Sequence, residues 1–258
     1  MALGTWLLVI GLCDLLRAAR DTTTGVRRGL IAALAVVLLL LAGAAVGIDG
    51  SEWIGLGAAW IVGALLWLLG SSAALTAEQD EQVAVVARVV AFLGLAVGIV
   101  VSVLGGGVIE SHGAPASILE GTLLGQIGLD HLVLVLGVVA IQLSTANIAI
   151  RLVLDSVGVP ASTGEKQLKG GRMLGPMERL LILGLGIAGS LTAATIVVAA
   201  KGLLRFPELQ RGAGQGGASD VTEYFLIGSF ASWLVALGGV GLVGLSVAAG
   251  PGWTMHFG

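Results

Sequence analysis

The chain alternates long apolar runs with short polar connections. Crossing a hydrocarbon layer of about 30 Å takes about 20 mostly apolar residues in a helix, because only a helix satisfies its own backbone there. By this rule the sequence predicts seven spans, over residues 3–17, 29–48, 53–74, 84–105, 129–153, 179–200 and 224–249. The predicted fold is all-α, a polytopic transmembrane helical bundle. It has a four-helix region over residues 1–128 and a three-helix region over residues 129–258.

The composition agrees with lipid as the main solvent of these helices. Of 258 residues, 56% are hydrophobic and 11% are charged, whereas a soluble domain usually carries about a quarter charged residues. The net charge of −3 and the lack of a basic block give no sign of a nucleic-acid partner. The single cysteine, Cys13, lies in an apolar run, which excludes an intramolecular disulfide and indicates a packing residue.

The basic residues predict the orientation of the helices. The first, third and fifth connections, with the helix ends beside them, hold ten of the 13 basic residues. The second and fourth connections carry only acidic charges. Because cytoplasmic connections are enriched in lysine and arginine, the pattern places the N-terminus outside and the C-terminus inside.

The sixth connection departs from this pattern, because Lys201, Arg205 and Arg211 would then face outward. Either these side chains reach the far interface along their aliphatic stems, or residues 179–200 enter and leave on the cytoplasmic side. Glycines in the middle of that run weaken it as a helix. Glycine is also common in membrane helices, so we expect a full span.

Small residues and tryptophans predict how the helices pack. The second and fourth runs contain the spacings Gly43–Gly47 and Gly94–Gly98, which let helix backbones approach closely. Trp53, Trp60 and Trp67 recur every seven residues along one face of the third run. Trp53 suits the membrane interface. We expect Trp60 and Trp67 to fill the space between helices rather than line a pocket.

No motif for a cofactor or a metal stands out. Two G-x-G-x-x-G matches, at 184–189 and 239–244, lie inside apolar runs and lack the acidic residue of a dinucleotide site, so they predict close packing. Glu110, His112, Asp130 and His131 match no compact metal-ligand spacing. The sequence therefore predicts no cofactor, no metal and no catalytic residue.

Polar residues collect at the ends of the last three runs. Asn147, Arg151 and Asp155 are spaced i, i+4 and i+8, so they share one helix face. Ionisable groups at membrane depth usually face the bundle interior or a watery cavity, although a cap at the membrane interface explains these three equally well. The candidate ligand-binding residues are Asn147, Arg151, Asp155, Glu178, Arg179, Lys201, Arg205, Glu223 and Tyr224.

Four segments in this region carry a resemblance to a known family. They are QLSTANIAIRLVL, GPMERLLILGL, IVVAAKGLLRFPEL and EYFLIGSFASWLVAL, which begin at residues 142, 175, 196 and 223. In order and content they resemble the bacterial DUF3307 family of membrane proteins, over about residues 131–245. The resemblance implies a bacterial inner-membrane location. It implies no activity, because the family name itself records an unknown function.

These patterns lead to one main hypothesis and two alternatives. The main hypothesis is a non-enzymatic membrane protein that binds or passes a small anionic solute or a lipid headgroup. Arg151, Arg179, Lys201 and Arg205 suit a phosphate or carboxylate. The first alternative is a structural or accessory subunit of a larger membrane protein complex. The second is an enzyme on a lipid-linked substrate, with Glu178 or Glu223 as general base. The expected partners are the lipid bilayer and a membrane protein partner or a second copy of the chain.

Overall fold

Every regular element in the described part of the chain is a helix, as the sequence predicts. The computed structural model describes residues 1–18, 24–46, 50–77, 80–105, 128–157, 171–212 and 218–248. The helices are α1 (Ala2–Ala18), α2 (Gly25–Val46), α3 (Gly50–Ala74), α4 (Glu81–Leu104), α5 (Leu129–Ala140), α6 (Ala146–Ser156), α7 (Gly171–Ile187), α8 (Leu191–Gly212) and α9 (Ala218–Ala248). A π-helical segment, Ile141–Thr145, joins α5 to α6.

Five helical stretches in these described ranges are long and apolar enough to cross a membrane, which indicates a membrane location. They are Gly25–Ala44, Gly55–Ala74, Glu81–Leu104, Leu129–Ser156 and Leu226–Val247. The predicted count of seven spans is thus met only in part. The first predicted run forms α1, a helix of 17 residues, and the sixth run is not a single helix.

The single helix predicted over residues 179–200 is wrong, because the chain turns at Gly189. Gly189 has a φ of +76°, a conformation that costs glycine little and other residues more. The Gly189 N–H donates to Gly186 O at 3.0 Å and the Ser190 N–H to Leu185 O at 2.9 Å. This pair of bonds is the Schellman motif, which ends α7.

Beyond this turn, α8 folds back along α7. Ile182 of α7, Ala194 of α8 and Ala236 of α9 belong to one buried cluster. In a straight helix Ile182 and Ala194 would lie about 18 Å apart, at 1.5 Å per residue. Val198, one turn further along α8, packs on the same cluster. The three helices α7, α8 and α9 therefore pack side by side, with α7 and α8 as a hairpin.

Helices α7 and α9 run parallel to each other. Arg179 contacts Ser232, and one turn later Ile182 packs with Ala236. A Cβ added to Gly186 would then lie 2.5 Å from a methyl group of Val240. Contacts thus advance in the same direction along both helices. Of the two glycine motifs predicted to pack closely, Gly186 does so, whereas Gly189 makes the turn.

The chain forms two compact units, Met1–Thr145 and Ala146–Gly258. The domain boundary predicted from sequence after residue 128 stays a prediction. In the first unit, α5 packs on α1. A Cβ added to Gly4 would lie 2.6 Å from the backbone of Leu134, and one added to Gly137 would lie 2.4 Å from Gly4 O. The backbones of α1 and α5 thus touch through glycines.

Two packing predictions for the first unit are confirmed. Trp60 and Trp67 are fully buried. Gly94 and Gly98 are both sites of close approach: an added Cβ would meet the Trp67 backbone at the first and the Trp6 ring at the second. Cys13 is buried as well. The other glycine spacing, Gly43–Gly47, ends outside the described residues, as does the segment with Glu110 and His112.

Candidate functional site

Three helices of the C-terminal unit bring together three of the predicted site residues. Arg179 of α7 is 1% exposed. Its Nη1 donates to Ser232 Oγ of α9 at 3.1 Å, and its Nη2 donates to Asn147 Oδ1 of α6. The guanidinium is therefore held between α6 and α9 by two neutral oxygen acceptors.

Glu178, the neighbour of Arg179, has its own partner on α9. Trp233 donates its indole N–H to Glu178 Oε1 at 2.9 Å, and Glu178 is 8% exposed. A hydrogen bond to an ionised group contributes about 1.5–3 kcal/mol, roughly twice a neutral bond. We call the five residues Asn147, Glu178, Arg179, Ser232 and Trp233 the arginine centre.

The residues that α6 and α9 contribute to the arginine centre lie well inside the apolar stretches of those helices. Trp233 is about 10 Å along α9 from Leu226, where the apolar stretch begins. Asn147 is about 14 Å from Ser156, where the other stretch ends. Charges at such depth are rare in membrane proteins and usually mark a ligand or ion pathway.

Gly175, one turn before Arg179, leaves room beside the guanidinium. A Cβ at Gly175 would meet Arg179 Nη1 at 3.4 Å and Asn147 Oδ1 at 3.8 Å. The next residue is Pro176, inside α7, which removes one backbone hydrogen bond of the first turns. A methyl group at position 175 would thus be in ordinary van der Waals contact with two polar atoms of the arginine centre.

The other predicted site residues lie outside the arginine centre, or their side chains lie outside the described part of the structure. Arg151 and Asp155 follow Asn147 on α6, and both are exposed. Lys201 and Arg205 are on α8, and Glu223 and Tyr224 are near the start of α9. The positions of these four side chains are outside the described residues, so their predicted role stays a prediction.

The N-terminal unit contains a buried ion pair, which sequence reasoning missed. Asp14 is fully buried, and Arg17 is 6% exposed. Arg17 Nη2 lies 2.7 Å from Asp14 Oδ1, and Trp67 donates to Asp14 Oδ2 at 2.8 Å. An aspartate inside an apolar run, three residues before an arginine, was the available signal.

Every N–H group of the Arg17 guanidinium is engaged within the protein. Nε donates to Asp14, and Nη1 donates to Leu68 O and Ser72 Oγ. Nη2 donates to Ser71 Oγ and faces Asp14. An arginine whose N–H groups all donate within the protein has no donor left for a ligand. This pair therefore joins α1 to α3, and it serves as an internal reference for the arginine centre.

The two centres share their chemistry and their helix arrangement. In each, a tryptophan donates to a carboxylate and an arginine donates to serine on a facing helix. The partners are 53 to 55 positions apart in the first unit for Trp67–Asp14, Arg17–Ser71 and Arg17–Ser72. In the second unit Arg179–Ser232 and Trp233–Glu178 are 53 and 55 apart. Of the two, the second has an asparagine as a partner of its arginine and a glycine beside the guanidinium.

Comparison of the chain with protein-family models, curated proteins and solved structures finds no match. The resemblance to the DUF3307 family therefore stays a prediction from sequence.

Proposed function

We propose that this is a multi-pass protein of the bacterial cytoplasmic membrane that binds a small phosphate- or carboxylate-bearing anion at the arginine centre. The observation that carries the proposal is the placement of Arg179, buried at membrane depth and held in position by Asn147 and Ser232. Both partners are neutral oxygen acceptors that orient the guanidinium, and a planar fork with fixed orientation matches an oxyanion. Trp233 fixes the position of the Glu178 carboxylate by donating to it.

The turn at Gly189 supports a different topology from the predicted one. If α7 and α8 enter and leave on the cytoplasmic side, Lys201, Arg205 and Arg211 lie inside with the other basic residues. The three basic residues that departed from the positive-inside bias then obey it. The apolar part of α8, Leu191–Ala200, supports re-entry, because it is too short to span. On this topology α9 runs outward, and we propose that the C-terminus lies outside rather than inside.

This topology places the start of α7, with Gly175, toward the cytoplasm. The anion would therefore arrive from the inner face, where Arg151 and the lysines of residues 158–170 raise its local concentration. A free solute and an anionic lipid headgroup share the chemistry that Arg179 recognises, and both reach the inner face. The site also explains why an arginine, rather than a lysine, stands at this depth, since only arginine offers the fork.

Thermal unfolding of the purified full-length protein tests the proposal. In a lipid-free detergent micelle, inorganic phosphate should raise the unfolding midpoint, by a stabilisation of about 2.7 kcal/mol at about 100 times Kd. Arg179→Gln should abolish the rise. The matched control is Trp67→Phe in the N-terminal unit, which should lower the midpoint and keep the phosphate-induced rise.

A second experiment distinguishes a free anion from a lipid headgroup as the ligand. If a headgroup is the ligand, nanodiscs of monoanionic phosphatidylglycerol should stabilise the protein relative to zwitterionic phosphatidylcholine, whereas inorganic phosphate should not. In both cases the effect must depend on Arg179. Stabilisation that survives Arg179→Gln in full, or no stabilisation by either probe, would contradict the proposal.

A further inference from the structure

Arg88 of α4 lies within an apolar helix and has no acidic partner in the described part of the chain. It follows Glu81, where the apolar stretch of α4 begins, by about 10 Å along the helix axis. Its Nε is buried and has no hydrogen-bond partner, and Arg88 belongs to neither of the ion pairs found among the described residues. A guanidinium at such depth is costly unless another group compensates its charge.

Arg17 and Arg179 show how this chain compensates buried arginines from within. Arg17 pairs with Asp14 and donates to serines of α3, and Arg179 donates to Asn147 and Ser232. The Nε of the arginine in α4 has no such acceptor among the described residues. An anion from outside the protein is therefore the group that can compensate its charge.

The surroundings of Arg88 place it beside lipid. Three neighbours on α4 are between 45% and 62% exposed, namely Val85, Val86 and Val89. Exposed aliphatic side chains on a helix apolar enough to cross a membrane face acyl chains. On the other side of α4, a Cβ added to Gly70 of α3 would lie 3.0 Å from Ala87 O. This close packing fixes the backbone that carries Arg88, which is itself half-buried.

Glu81 lies on the same face of α4, nearer to the membrane surface. Its spacing from Arg88 is close to two helical turns, beyond the i, i+4 distance at which helix charges pair. The structure shows no ion pair between the two. Ala84 and Val85 lie between them on this face and have no polar side-chain atoms. The lipid-facing side of α4 thus has a cation at depth and an exposed carboxylate above it.

We infer that Arg88 and Glu81 bind the headgroup of a phosphatidylethanolamine. The phosphate of this lipid is next to its acyl chains, and its ammonium follows after an ethylene link. The headgroup therefore has an anion for Arg88 and a cation for Glu81 in the same order. A guanidinium fork matches phosphate oxygens, and a primary ammonium has three N–H donors for a carboxylate.

Two related headgroups lack one half of this match. The trimethylammonium of phosphatidylcholine has no N–H to donate to Glu81, and phosphatidylglycerol has no cation. On the orientation predicted from the basic residues, α4 begins at the cytoplasmic face, so the lipid belongs to the inner leaflet.

Native mass spectrometry of the delipidated full-length protein in detergent tests this site. The protein is titrated with phosphatidylethanolamine, phosphatidylcholine or phosphatidylglycerol of identical acyl chains, and the Kd of each lipid is measured. Arg88→Gln and Glu81→Gln each remove one charge. The matched control is Arg27→Gln on α2, because Arg27 already donates to Leu16 O.

The variants should separate the two halves of the headgroup. Arg88→Gln should weaken the binding of phosphatidylethanolamine at least about tenfold, as expected for the loss of a charge-assisted hydrogen bond. Glu81→Gln should abolish the preference for phosphatidylethanolamine over phosphatidylcholine. Arg27→Gln should leave every Kd unchanged. Arg88→Met, which keeps the aliphatic contacts, repeats the test if Arg88→Gln does not fold.

Three results would overturn the inference. The first is binding of phosphatidylethanolamine that Arg88→Gln leaves unchanged or that Arg27→Gln weakens equally. The second is a loss in Arg88→Gln that is as large for phosphatidylcholine or phosphatidylglycerol. The third is a preference for phosphatidylethanolamine that survives Glu81→Gln.

This lipid site does not depend on the anion site of the C-terminal unit. Arg88→Gln should keep the phosphate-induced rise in the unfolding midpoint, and Arg179→Gln should keep the Kd for phosphatidylethanolamine. Failure of one site is therefore distinguishable from failure of the other.

Discussion

The indole N–H of Trp67 donates to Asp14 Oδ2 at 2.8 Å and fixes a fully buried carboxylate inside the N-terminal unit. Arg17 completes this arrangement from the other side at 2.7 Å. The Asp14–Arg17 pair shows how this chain keeps ionic groups in an apolar interior, because each charged side chain also has a hydrogen-bond partner on the neighbouring helix α3.

Breaking this pair on one side should be strongly destabilising. Arg17→Met removes the cation and leaves the Asp14 carboxylate buried, which typically costs about 3–5 kcal/mol. The double variant Asp14→Leu with Arg17→Met removes both charges and should lose much less. Thermal unfolding in detergent measures both. The reactivity of buried Cys13 toward a thiol reagent gives a second readout, and it should rise only in the single variant. Equal unfolding midpoints for the single variant and the unmodified protein would refute this role of the pair.

The two tryptophans should have the same effect on stability and different effects on binding. Trp67→Phe and Trp233→Phe each keep an aromatic ring and remove one hydrogen bond to a carboxylate, worth about 1.5–3 kcal/mol. Trp233→Phe also releases Glu178, which can then compete with the anion for Arg179. We expect phosphate affinity to fall in Trp233→Phe alone. Unchanged phosphate affinity in both variants would show that Glu178 has no influence on anion binding.

The turn between α7 and α8 should depend on Gly189 alone among its glycines. Gly189→Ala forces a Cβ into a left-handed conformation, at a cost of about 1–2 kcal/mol. Gly184→Ala is the matched control, because it lies within α7 with nothing within 4 Å of an added Cβ. The control should gain up to about 1 kcal/mol from better helix propensity. Equal effects of the two changes on the free energy of unfolding would contradict a left-handed turn at Gly189.

Close contact of α1 and α5 should make Gly137 intolerant of a side chain. Gly137→Ala would bring Cβ within 2.4 Å of Gly4 O, which is rigid backbone. Overpacking of this kind typically costs about 1–3 kcal/mol. Gly202→Ala on α8 is the control, since its surroundings are open. A loss of unfolding free energy no larger than the control's would show that the two helices can move apart freely.

Apolar length and charge spacing were enough to predict an all-helical membrane protein, because lipid imposes helices on any chain this apolar. They were also enough to bring Asn147, Glu178 and Arg179 into one candidate site. The spacing of Asn147 and Arg151 is a property of one helix, so it can be read without tertiary structure. The burial of Trp60 and Trp67 follows in the same way from their period of seven.

The turn between α7 and α8 and the partners of the buried charges could not be predicted, because they depend on backbone conformation and on contacts between helices distant in sequence. A glycine-rich apolar run fits either one helix or two, and only the φ of Gly189 decides. Ser232 and Trp233 are ordinary residues of an apolar helix until α7 packs beside them. The Asp14–Arg17 spacing is visible within α1, but the partner Trp67 becomes a neighbour of Asp14 only when α1 packs against α3.

The central claim is that α7 and α8 form one re-entrant hairpin. Its most direct test is to find from which side of the membrane three positions can be labelled. Single cysteines at Gly170, Gly214 and Gly258, each in the Cys13→Ala chain, are labelled in intact cells and in inverted vesicles with an impermeant maleimide. The account predicts that Gly170 and Gly214 react from the cytoplasmic side and Gly258 from the outside. Reaction of Gly170 and Gly214 from opposite sides would contradict it.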